Sequence, residues 1–224
     1  MRRYHAFAAL LLLGGCYNMP GDVTAGDSGA NTVNGSIHVP AGAHSGALST
    51  VNGSIHVDDN ASVASAGTVN GSITLGGHAN ADSLTTVNGS ITLHDGAHVA
   101  HGASTVNGAM TLKGGSDVGG ALANVNGRIE LIDAHVGGGL RTADGDIEVR
   151  GGSHVEGGIL VKQEHQGLFS WGSRKPRIVI GPGAVIQGEL RFERAVDLYV
   201  SEQATVGTIT GATPIRFSGS GPPG

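Results

Sequence analysis

Thr32-Val33-Asn34-Gly35-Ser36-Ile37 returns unchanged at 50–55, 68–73 and 86–91, then drifts to TVNGAM at 105–110, NVNGRI at 124–129 and TADGDI at 142–147. Its Asn, or Asp in the last copy, falls at 34, 52, 70, 88, 107, 126 and 144, so the period is 18 or 19 residues. A fixed period of this size marks a stacked repeat array, in which each unit buries its apolar face only against its neighbours.

With the Asn as position zero, apolar or small residues recur at −1, +3, +5, +9, +11 and +14 or +15; in the third copy they are Val69, Ile73, Leu75, Ala79, Ala81 and Leu84. A helix would need apolar residues at i, i+3, i+4 and i+7. Steps alternating between four and two suit short strands, whose alternate side chains share a face. Corners at Asn-Gly, Gly-Gly or Gly-Ala would join them, since Asn and Gly tolerate positive φ. The sequence therefore predicts an all-β fold: a single-stranded, three-sided parallel β-helix (a solenoid) with about 18 residues per coil, its strands ~4.8 Å apart. Residues one period apart then lie above one another. Asn34, Asn52, Asn70, Asn88, Asn107, Asn126 and Asp144 form a structural ladder, the amides bonding from coil to coil as in cross-β stacks. Val33, Val51, Val69, Val87, Val106 and Val125 are expected to stack in the core beside Ile37, Ile55, Ile73, Ile91, Met110, Ile129 and Ile147. An aromatic content of 4% fits so narrow an interior.

Residues 1–15 read as a signal peptide, with Arg2 and Arg3 before a short apolar run. Leu13-Gly14-Gly15-Cys16 resembles the lipobox of bacterial lipoproteins, which implies lipidation of Cys16, the single cysteine of the chain. Tyr17 follows it where Asp would resemble an inner-membrane retention signal, so the resemblance implies the outer membrane of a Gram-negative cell. Residues 16–30 read as a tether, 31–217 as the solenoid and 218–224 as a disordered tail. A net charge of −5 argues against nucleic acid as a partner.

One segment breaks the pattern. Between Val161 and Ile178 roughly 13 residues are inserted, near 163–175. This loop and its flank carry Phe169, Trp171, Arg174, Lys175 and Arg177. Long surface loops often carry function, and an aromatic beside cations could contact glycan, lipid headgroup or protein. A hairpin folded down over apolar surface is the alternative.

IVIGPGAVIQGEL at 178–190 looks like the coil consensus of bactofilins, polymer-forming bacterial proteins, a resemblance that extends over about 115–217. The Asn-Gly-Ser-Ile and Asp-Gly-Asp-Ile repeats resemble adhesin-type repeat lipoproteins of bacteria. These resemblances imply a right-handed coil and self-association through the solenoid ends.

Signals for catalysis are sparse. The six-residue sub-period is shared with hexapeptide acyltransferases, and the coil with polysaccharide lyases and glycosidases. His38 and His56 form a ladder pair that could share Zn²⁺ or Cu²⁺, but the sequence offers no third ligand. His44, His98 and His154 share position +10 on an outer face. The acidic group Glu130, Asp133, Asp146 and Glu148 has Arg128, Arg141 and Arg150 beside it, which suggests surface ion pairs rather than the converging carboxylates of a glycosidase. Arg128 and Asp146 are expected to be cross-coil neighbours. The expectation is a lipid-anchored, non-catalytic structural or scaffold protein of the bacterial envelope. It has no cofactor and no metal, and it is held to the membrane by its N-terminal lipid. The alternatives are an adhesin or a glycan- or protein-binding module using the 163–175 loop, and, third, a carbohydrate-active enzyme.

Overall fold

A computed structural model describes residues 21–163 and 174–222. The chain is all-β and every strand pair is parallel. Successive coils stack as a β-solenoid of about 18 residues per turn. An eleven-stranded sheet forms the first face, running from Val23–Thr24 through Ile37–Val39, Ile73–Leu75 and Asp146–Arg150 to Ile215–Phe217. A fifteen-stranded sheet covers the other two faces. In the early coils one long strand, such as Ser62–Asn70, spans both of these faces. It turns the corner where the inward step lengthens from two residues to three, Val63 to Ala66, leaving Ala64 and Ser65 on the outside. The sheet forks at His98–Asn107, and later coils use separate strands such as Asp117–Val118 and Leu122–Asn126. The fork follows a bulge between Val99 and Gly102, where the first 19-residue coil accommodates its extra residue.

Register confirms the ladders. Ile37, Ile55, Ile73, Ile91, Met110, Ile129, Ile147 and Ile178 lie one above another, each fully or almost fully buried. Positions +5, +9, +11 and +14 or +15 also face inward, except in the coil of Asn126, where Ala134 and Val136 at +8 and +10 take the places of +9 and +11.

The valine ladder does not. Thr50, Thr68, Thr86 and Thr105, one residue before each valine, are the buried ones, while the valines lie on the outer face and Val106 is 39% exposed. The inward step across this corner is five residues, from Thr at −2 to Ile at +3, and not the four that the spacing predicted. A buried hydroxyl is tolerable only when hydrogen-bonded. Each of these threonines donates to the motif glycine carbonyl of the preceding coil: Thr50 to Gly35 at 3.0 Å, Thr68 to Gly53 at 2.9 Å, Thr86 to Gly71 at 3.0 Å and Thr105 to Gly89 at 3.1 Å.

The corner chemistry also differs from expectation. Among the motif glycines of the described coils, only Gly127 has positive φ. The others are required by close approach: a Cβ at Gly53, Gly71, Gly89 or Gly108 would run into the carbonyl of the glycine one coil earlier. Left-handed backbone is used instead at the next corner, at Gly42, Asn60, His78, Gly96, Gly115, Asp133, Gly151 and Gly183.

The insertion leaves at the motif corner. Val161 lies opposite Thr142 and Ile178 opposite Ile147, so the interval is seventeen residues where the previous coil uses five. The excess is twelve residues, one fewer than predicted, because Val161 takes the threonine position and not the valine one.

Candidate functional site

The asparagine ladder forms as expected over six rungs. Each amide Nδ2 donates to the Oδ1 of the rung before it: Asn52 to Asn34, Asn70 to Asn52, Asn88 to Asn70, Asn107 to Asn88 and Asn126 to Asn107, all at 2.9–3.0 Å. It stops at Asp144 for a chemical reason. A carboxylate has no N–H to donate to the Asn126 amide oxygen. Asp144 instead pairs with Arg194, whose guanidinium also donates to the Ala143 carbonyl at 3.1 Å and to the Arg174 carbonyl at 3.4 Å. Arg194 thus ties the described base of the inserted loop to Asp144, the position at which the ladder stops.

Of the loop residues singled out in the sequence, Phe169 and Trp171 lie outside the described residues, as does Cys16. Arg174, Lys175 and Arg177 are described and exposed. Asp146 accepts from the Arg174 guanidinium at 3.0 Å and from the Arg177 backbone N–H at 2.8 Å. The Arg177 guanidinium lies 5.1 Å from the centre of the Tyr199 ring, within cation–π range. Arg128 and Asp146 are register neighbours as expected, but the ion pair forms elsewhere. Glu148 takes Arg128 at 3.6 Å and also pairs with Arg150. These groups line a groove of about 370 Å³, whose lining also includes Arg177, Ser220, Gly221 and Pro222.

Two histidine arrangements were only half legible in the sequence. His38 and His56 stack with centroids 6.0 Å apart. The partner that the sequence did not offer is Asp58, which meets His38 Nε2 at 2.9 Å and His56 Nε2 at 3.1 Å. On the second face, His98, Asp117, His135 and His154 occupy successive rungs. Asp117 lies 2.7 Å from His98 and also bonds His135, whose other ring nitrogen is 3.3 Å from Glu156. Burial acts to raise the Asp117 carboxyl, but the hydrogen bonds and charges of His135 and His98 outweigh it and hold it below its ordinary value. The Asp117 hydrogen bond raises His135 above its ordinary value, against burial and with help from Glu156. Among the described residues, no three His, Cys, Asp or Glu side chains are grouped to hold a metal ion.

Sequence analysis missed Arg194, Asp58 and the Asp117–His135 pair. No family model, curated protein or solved structure matches the chain at a significant level.

Proposed function

We propose that the protein is a lipid-anchored, non-catalytic scaffold of the bacterial envelope whose solenoid stacks end to end on copies of itself. The observation that carries this reading is the C-terminal end. The outermost strands there, Thr205–Val206, Ile209–Thr210 and Ile215–Phe217, each have a strand neighbour on one side only among the described residues. Val206, Ile209 and Ala212 are partly buried against the core, and Ile215 is 51% exposed. An open parallel edge is a template for another chain. At the opposite end, Val23–Thr24 and Ala30–Asn34 also pair on one side only among the described residues. On this reading the C-terminal edge of one copy continues into the N-terminal edge of the next.

Electron microscopy of the purified, unlipidated protein tests this. Filaments are expected from the native sequence, and discrete particles with unchanged circular dichroism from the Ile209→Lys, Ile215→Lys variant. Discrete rods from the native sequence would overturn the assembly reading.

The arginine-lined groove beside the loop base favours a second reading, a binding module for an acidic glycan or peptide. On that reading, Trp171→Ala and Arg177→Ala each weaken retention on an acidic polysaccharide column. Retention unchanged in both variants would remove it.

A further inference from the structure

The ladder carries six copies of one tripeptide, Val-Asn-Gly, ending at Gly35, Gly53, Gly71, Gly89, Gly108 and Gly127. Asn followed by Gly is a sequence prone to spontaneous deamidation. The glycine nitrogen attacks the asparagine side-chain carbon, and a five-membered imide forms. In a folded chain the attack requires that glycine nitrogen to be free of its own hydrogen bond.

Five of the six are held. The N–H of Gly35, Gly53, Gly71, Gly89 and Gly108 donates to the carbonyl of the Asn one coil later: Asn52, Asn70, Asn88, Asn107 and Asn126, at 3.0–3.1 Å. Gly127 makes no such bond. The residue one coil on is Asp144, whose N–H donates to Val125 at 2.9 Å, but no bond from Gly127 to the Asp144 carbonyl accompanies it, and Gly145 donates inside its own turn to Thr142 Oγ1 at 2.8 Å. Gly127 has φ +140°, unlike the five bonded glycines. Three residues earlier the same corner departs from the pattern of the other coils. Asn124 replaces the ladder threonine, and its Oδ1 accepts from Thr142 Oγ1 at 2.6 Å. No Asn124 donation to Gly108 continues the threonine pattern, and its Nδ2 is buried without a partner. Asn126 itself is exposed, and its amide is tethered only from above, through Nδ2 to Asn107.

We infer that Asn126–Gly127 is a built-in modification site, the rung of the ladder at which the folded protein deamidates. Gly127 N loses its proton and bonds to Asn126 Cγ. The Cγ–Nδ2 bond breaks and the nitrogen leaves as ammonia with that proton. Water then opens either imide C–N bond to give aspartate or isoaspartate, with no change in oxidation state. The product shortens the amide ladder by one rung and places a second carboxylate beside Asp144. Asp144-Gly145 already shows the charged form of the motif in the next coil, neutralised there by Arg194.

The six sites share the residues on either side of each Asn, which makes them controls for one another. Purified full-length protein is incubated at mildly alkaline pH, native and in denaturant, and each Asn-Gly peptide is followed by mass spectrometry with isoaspartate resolved from aspartate. In the native protein Asn126 is expected to convert at least about fivefold faster than Asn52, Asn70, Asn88 or Asn107, the factor corresponding to one backbone hydrogen bond. In denaturant the rates converge. Native conversion at Asn126 no faster than at those rungs would overturn the inference. So would an equal Asn126 advantage in denaturant, since that would assign the difference to sequence and not to fold.

Discussion

A threonine and a valine are nearly the same shape, and the motif sets them side by side. The one with the hydroxyl goes inside. Thr86 is 1% exposed and Thr50 fully buried, each with its hydroxyl bonded to a glycine carbonyl of the preceding coil. Hydropathy alone put the valines in the core, because no pattern of apolar residues announces that a glycine carbonyl will be waiting there. Thr86→Val keeps the shape and removes the bond, so it should lower stability by about 1 kcal/mol in denaturant titration. Asn124→Thr should act the other way, by about the same amount, because it replaces a buried unpaired Nδ2 with the hydroxyl that the other coils use. A stabilising Thr86→Val would break this account of the corner. The glycine after each Asn was legible as invariant within the repeats, but at all of them except Gly127 for the wrong reason: close approach between coils, not positive φ, excludes a side chain there.

At the scale of the strand, a period of 18 or 19 turns single residues into rows. The row His98, Asp117, His135, His154 is hard to read from the sequence because the coil containing His135 reaches its second corner one residue early, at Asp133. Counting from the Asn therefore puts Asp117 at +10 and His135 at +9. The groups facing His135 are Asp117, Glu156 and the His154 ring. Its raised pKa contributes stability that is fully present below the unfolded value of about 6.5 and is lost as pH rises through the folded value. The lowered pKa of Asp117 contributes stability that is present above about 3.9 and is lost as pH falls through the folded value. The melting-temperature gap between wild type and His135→Gln should therefore be widest between about pH 4 and 6.5 and shrink on either side. A gap that is flat with pH, or widest at pH 9, would show that the pair contributes no pH-linked stability.

Across the whole molecule, eleven strands on the first face give a rod about 50 Å long at ~4.8 Å per strand. The architecture was legible because the motif repeats as one unit and its glycines and isoleucines land in register. The charged end of the first face was only partly legible. Arg194 reaches Asp144 across the insertion, fifty residues along the chain, and no local pattern encodes such a contact. The central claim is that each coil lands in register on the one before it, and paired cysteines test that most directly. In a Cys16→Ser background, Thr74→Cys with Thr92→Cys puts two thiols on adjacent rungs, within the Cα separation of about 4.4–6.8 Å that a disulfide needs. Thr74→Cys with Thr111→Cys skips a rung, at roughly 9.6 Å. Mild oxidation should close the first pair and leave the second open, as read by mass spectrometry of the intact chain; closure of the second pair as readily as the first would contradict the stacked coil.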